Sequence, residues 1–208
     1  MAPGDHRDSQ DRHDDLAESW RRRSGLYVVA PIEGPVAEQV TEVQRVHDPK
    51  LLRMMPPHLT LVGSSGMGPI DAQTSLEELR AALEPIARTT PPLSLAVSAP
   101  MRFMQTDIVV LPLDPHGPLR ELHERIKASG LRYAHPRFTF TPHVTLSFYR
   151  ELTASSRRAL LSLRVSEPVR ISRIECSLTE DPHPPRTVLA LTLGGVSQPM
   201  AAEAIRRL

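Results

Sequence analysis

Two pentapeptides in this 208-residue chain are near copies of one another, Pro57-His58-Leu59-Thr60-Leu61 and Pro142-His143-Val144-Thr145-Leu146. Scattering the chain's own residues at random gives ~0.007 copies of such a pattern, so the pair is not coincidence. In a strand, positions i and i+2 share a face. His58 then lies beside Thr60 and His143 beside Thr145, while Leu59, Leu61, Val144 and Leu146 point the other way into a core. Two imidazoles that titrate near ~6.5 suit acid and base work on a phosphate ester. The neutral one takes the proton of an attacking water, and the charged one protonates the leaving oxygen. The Thr60 and Thr145 hydroxyls can donate hydrogen bonds to the non-bridging phosphate oxygens. This scheme needs no metal or organic cofactor, and two His without a neighbouring Cys, Asp or Glu are a ligand short of a catalytic zinc site. A lone histidine in a strand is most often a core or surface residue. Its duplication shifts the weight to a shared site, and the alternative is a non-catalytic RNA-end or phosphate-binding module carrying a relic of that site.

The rest of the chain must position these strands. Residues 26–30 read as a buried strand between Gly25 and Pro31. A helix follows, with Val36, Val40, Val43 and Val46 or His47 at helical spacing, and Asp48-Pro49 ends it. After the first motif, a Gly/Ser-rich loop over residues 63–68 leads to a helix bearing Leu76, Leu79, Leu83 and Ile86. Ser75 and Glu78 form its capping box, and Pro85 is expected to kink or end it. Strands are expected over residues 93–99 and 108–113, then a helix over 119–129 with Leu119, Leu122 and Ile126 inward. The second motif opens a strand over 143–149. A helix over 153–163 and strands over 169–178 and 187–193 close the pattern. The order β-α-β-α-β-β, then α-β-α-β-β, reads as one unit used twice, with no clear opening strand in the second copy. Such a duplication predicts two lobes with the repeated residues in the cleft between them.

Around the second motif, Ser147 and Tyr149 continue the polar face of its strand, and Arg150 alternates away. Tyr133, Arg137, Phe138 and Phe140 cluster in the loop before it, the combination of ring and cation that stacks and holds single-stranded RNA, with core packing as the competing use of Phe138 and Phe140. His47, His116, His123, His135 and His183 are expected to be solvated.

Composition narrows the partners. Lys and Arg total 25 against 24 Asp and Glu, so the formal charge of +1 excludes a bulk polyanion binder of the histone kind. The balance is uneven, since residues 120–173 carry 11 Lys and Arg against four Glu, which puts the basic surplus in the half that holds His143. The single Cys176 forms no internal disulfide and fits a reducing compartment, with the cytoplasm as the default. No apolar run is long enough to span a membrane. Residues 1–24, with six acidic and five arginine side chains, read as a disordered charged leader. Residues 25–195 are expected to form the catalytic domain, and residues 196–208 a tail.

The paired H-x-T-L strands, 85 residues apart on a duplicated α/β pattern, resemble the 2H phosphoesterase superfamily. The run from His47-Asp48-Pro49 through Met55-Pro56-Pro57-His58-Leu59-Thr60-Leu61 is similar to its bacterial 2′-5′ RNA ligase-like branch, and the likeness covers roughly residues 26–193. It implies an α/β (α+β) fold, bilobal and pseudo-twofold, with two antiparallel-rich sheets lining a central cleft and helices outside. It also implies opening of 2′,3′-cyclic phosphates on RNA ends or nucleotides to 2′-phosphates, with 2′-5′ RNA ligation as the possible reverse reaction. By the same resemblance His58 and His143 are the catalytic pair, and Thr60 and Thr145 bind phosphate. His58 is then assigned as the acid toward the leaving 3′ oxygen and His143 as the base toward water. The partners implied are RNA 3′ ends or cyclic nucleotides, with no protein partner and a monomeric chain. Val62-Gly63-Ser64-Ser65 departs from the pattern, because family members often carry an aromatic residue there.

Overall fold

A computed structural model describes residues 25–103, 106–149, 151–180 and 183–194. The leader, Arg150 and the tail at 196–208 lie outside the described residues. In chain order the elements are β1 (Gly25–Pro31), α1 (Pro35–His47), α2 (Pro49–Met54), β2 (His58–Val62), α3 (Leu76–Arg88), β3 (Leu93–Leu95), β4 (Met101–Arg102), β5 (Val109–Pro112), α4 (Gly117–Lys127), β6 (His143–Ser147), α5 (Ala154–Leu161), β7 (Val169–Ile171), β8 (Arg173–Thr179) and β9 (Arg186–Thr192). The main sheet runs β4-β5-β6-β2-β1-β8-β9, and a two-stranded ribbon pairs β3 with β7. Each of these neighbouring pairs is antiparallel. In place of the two expected sheets there is one continuous sheet, whose β2-β1-β8-β9 and β4-β5-β6 halves are joined where Leu59 faces Val144.

The opening strand that periodicity did not mark in the second copy is β5. In the first half Pro31, Ala30 and Val29 face His58, Leu59 and Thr60, with a bulge between Val28 and Val29. In the second, Pro112, Leu111 and Val110 face His143, Val144 and Thr145, with a bulge between Val109 and Val110. The duplication therefore extends to the register and to the irregularity that twists each strand pair. The strand expected over 108–113 is this β5, a wholly buried run at Val109, Val110 and Leu111 that chain order had placed at the end of the first unit rather than the start of the second.

One face of the sheet is the core. Leu59, Leu61, Val144 and Leu146 are fully excluded from solvent, together with Val28, Ala30, Leu111 and Ile174 at 0 to 1% exposure. Val36 and Val40 of α1, Leu79 and Leu83 of α3, Leu119, Leu122 and Ile126 of α4 and Leu160 of α5 join the same cluster. Val46 and Leu76 fit the helical spacing, yet both are exposed, and Gln44 takes the buried position on α1 instead.

Three local departures have clear causes. Pro85 sits inside α3 without ending it, because the amide and hydroxyl of Thr89 both donate to its carbonyl and close the last turn. The strand expected over 169–178 breaks at Ser172, whose hydroxyl donates to Glu33, so that β7 joins the ribbon and β8 the main sheet. The short helix α2 starts at Pro49 and is capped by Asp48, whose Oδ1 accepts from Leu51 N at 3.0 Å.

Candidate active site

β2 and β6 share one burial pattern, in which His58, Thr60, His143 and Thr145 are half-buried on one face while the alternate residues are buried on the other. Because Leu59 faces Val144 across antiparallel strands, the register sets His58 across from Thr145 and Thr60 across from His143. Each imidazole thus has one hydroxyl beside it and another across from it.

Both rings are fixed in the same way. His58 Nδ1 lies 2.8 Å from the carbonyl of Pro56, and His143 Nδ1 lies 2.7 Å from the carbonyl of Thr141. A carbonyl only accepts, so Nδ1 carries the hydrogen in both rings and Nε2 is the nitrogen left for proton transfer. A proline at 57 and at 142 holds the chain extended where these carbonyls turn back.

The environments of the two rings differ. Burial holds both imidazoles below their ordinary pKa. At His58 the Pro56 carbonyl opposes this, the charge of His143 adds to it, and the Glu175 carboxylate opposes it again. At His143 only the Thr141 carbonyl opposes burial, and Phe103 stands edge-on to the ring at 5.1 Å. Glu175 shares the sheet face with Thr60, since both pair with Val29. Its Oε1 accepts from Arg173 Nε at 2.8 Å, and Arg173 Nη1 donates to Glu33 at 2.7 Å. Neither Glu175 nor Phe103 was evident from the sequence, because each belongs to a strand or loop remote in the chain. Alternation within one strand names no neighbour two strands away.

The remaining candidates separate. Tyr149 follows β6, is 43% exposed, and has the Lys50 ammonium 4.4 Å from its ring centroid. Ser147 is wholly buried at the end of β6 rather than open to a ligand. Phe140 packs on His123 with ring centroids 3.8 Å apart and is a core residue, whereas Phe138 is 57% exposed. The Tyr133 hydroxyl donates to the Ile126 carbonyl at the end of α4, so its polar end is committed there. Arg137 is half-buried, and its backbone amide donates to Ser64 in the loop after β2. His123, expected in solvent, is 1% exposed, because Leu119, Leu122 and Ile126 turn that face of α4 inward. At the position after the first motif where an aromatic is missing, a Cβ on Gly63 would meet the Tyr27 ring and the Thr60 methyl.

Much of the basic surplus serves the fold. Arg120 pairs with Glu124, Arg132 with Asp71, Arg157 with Asp107 and Arg173 with Glu33 and Glu175, while Arg125 binds the hydroxyl of Thr90 past the end of α3. Cys176 is buried, which pushes its thiol up to about 12 and leaves it a packing residue. Among the described residues no three His, Cys, Asp or Glu side chains cluster as a metal site, and no helix is long and apolar enough to cross a membrane.

Comparison with known proteins adds to this geometry. A family model described as the 2′-5′ RNA ligase superfamily matches residues 32–180. Proteins named "Putative phosphoesterase" from Geobacillus kaustophilus (strain HTA426) and Geobacillus thermodenitrificans (strain NG80-2) are 34% and 35% identical over 95 residues, 45% of this chain. The match spans about half of those relatives' length, 51% in each case. The crystal structure of TT0787 from Thermus thermophilus superposes with a TM-score of 0.57 at 18% identity, covering 82% of this chain and 98% of that one. The Escherichia coli LigT structure complexed with 3′-AMP gives 0.50 at 16% identity, covering 83% and 99%. At such identities the likeness is one of fold.

Proposed function

Because the chain belongs to the 2′-5′ RNA ligase superfamily, we propose that it is a metal-independent phosphoesterase that opens 2′,3′-cyclic phosphates on RNA 3′ ends or nucleotides to 2′-phosphates. The observation that carries this reading is the matched pair of imidazoles, each with Nδ1 bound to a carbonyl and Nε2 left for chemistry, on one face with two threonines. The nucleotide bound by LigT supports the substrate class.

In the proposed step, His143 Nε2 takes a proton from water as the water oxygen bonds to phosphorus. The bond from phosphorus to O3′ breaks, and His58 gives its Nε2 proton to O3′. The threonine hydroxyls hold the non-bridging oxygens as their charge redistributes. The pair ends with its protonation states exchanged, and solvent restores them. A ribose 5′-hydroxyl in place of water would give a 2′-5′ linkage by the same transfers. The assignment of His58 as the acid follows the family resemblance; at that ring burial and the His143 charge oppose the protonated form, while the Pro56 carbonyl and, less, the Glu175 carboxylate favour it.

The test is incubation with 2′,3′-cyclic AMP and with an oligonucleotide ending in the same group, in EDTA. The expected product is the 2′-phosphate, and its absence from both substrates overturns the reading. Activity abolished by EDTA refutes the metal-free mechanism. His58→Ala and His143→Ala should each lower kcat by about 10²–10⁴, and wild-type activity in either refutes the paired roles.

A further inference from the structure

The ladder between β2 and β6 holds at a single pair, Leu59 with Val144, whereas β5 follows β6 from His143 to Ser147. Backbone groups of β6 and of the turn after it are met instead by side chains from the end of α1. Gln44 Nε2 donates to the carbonyl of Thr145 at 2.8 Å. Asp48 Oδ2 accepts from the amides of Phe148 and Tyr149, both at 2.7 Å, while its Oδ1 caps α2. The two residues lie one helical turn apart and are 2% and 0% exposed. The Gln44 Oε1 is buried and accepts from no described residue.

We propose that Gln44 and Asp48 are positioning residues, a wedge from the first half of the fold that takes the ladder's place along β6 and sets the spacing between His58 and His143. The proposal rests on the two histidines acting as a pair. Zipping β6 further onto β2 would draw the motif strands together, and releasing it would let them splay. Either change moves an acid and a base that must both reach one phosphate, where about 1 Å of misplacement costs about a hundredfold.

The test uses the full chain, 2′,3′-cyclic AMP as substrate, and NMR titration of the imidazole signals. Gln44→Met keeps the volume and removes the donor to Thr145. It should lower kcat by about tenfold or more with KM within about threefold, and shift the midpoints at which His58 and His143 titrate, while unfolding stays cooperative. Asp48→Asn makes the same test from the end of the strand, because a single amide oxygen cannot serve both Leu51 on one side and Phe148 and Tyr149 on the other; it stands in if the first variant does not fold. A lower melting temperature with kcat and both midpoints unchanged overturns the proposal and leaves a purely structural brace. If the wild type turns over no cyclic phosphate, the functional reading falls, and the titrations alone decide the wedge: unmoved midpoints in Gln44→Met overturn it too.

Discussion

A carbonyl two residues back holds Nδ1 of each motif histidine, so both rings present the same nitrogen, and their neighbours distinguish them. Glu175 acts on His58 alone of the two, and Phe103 lies against His143. If His58 is the acid, loss of the Glu175 carboxylate lowers its pKa further, and the alkaline limb of the kcat/KM profile should move to lower pH in Glu175→Gln. The acid limb, set by His143, should stay in place. Rates across a range of about pH 4.5 to 8.5 decide this, and an acid limb that moves alone reverses the two roles. If Thr60 and Thr145 hold the phosphate, Thr60→Val and Thr145→Val each remove one donor and should lower kcat by about 10²-fold, as loss of a single oxyanion donor does elsewhere.

At the scale of elements, each helix that follows an opening strand reaches across to the other half. The end of α1 braces β6 through Gln44 and Asp48, and α4 supports the loop after β2 through His123, which lies between Gly66 and Phe140. That loop is tied to the segment before the second motif, since Gly66 N donates to the Phe138 carbonyl and Arg137 N and Phe138 N both donate to Ser64. Gly66 has φ of 75°, and a Cβ there would fall on the His123 ring. Gly66→Ala therefore combines left-handed strain with overpacking and should destabilise the protein by about 2–4 kcal/mol, read from urea unfolding. Gly130→Ala has the strain without the contact, as nothing lies within 4 Å of its Cβ position, and should cost about 1–2 kcal/mol. Equal losses in the two would mean that the His123 contact contributes nothing.

Across the whole molecule the buried histidines set a pH dependence. His58, His143 and His123 all have pKa values lowered chiefly by burial. The unfolded chain, with imidazoles near ~6.5, then binds more protons than the folded one as pH falls, so stability is full above that value and is lost as pH drops through the folded pKa values. Thermal midpoints should fall from about pH 8 to about pH 5, and His123→Phe should flatten part of that slope. A midpoint that rises on acidification would contradict the sign.

The repeated P-H-x-T-L was enough to place His58 with Thr60 and His143 with Thr145 on shared strand faces, because strand alternation is a local rule that depends only on spacing. The places of α1, α3, α4 and α5, the capping box at Ser75 and the inward Leu119, Leu122 and Ile126 of α4 were legible for the same reason, whereas the short α2 was not. The partners of those residues were not. Glu175 is brought to the face of Thr60 only through the pairings of β1 with β2 and with β8, and Asp48 accepts from the Tyr149 amide across 101 residues of chain. The burial of His123, the role of β5 as an opening strand and the commitment of much of the basic surplus to ion pairs within the fold were likewise decided by packing. The sequence by itself determined which groups could do the chemistry, since that lies in residue types and short-range periodicity. Only the tertiary structure decided what surrounds each imidazole, since burial and charge at a site are sums over residues that the chain brings together from far apart.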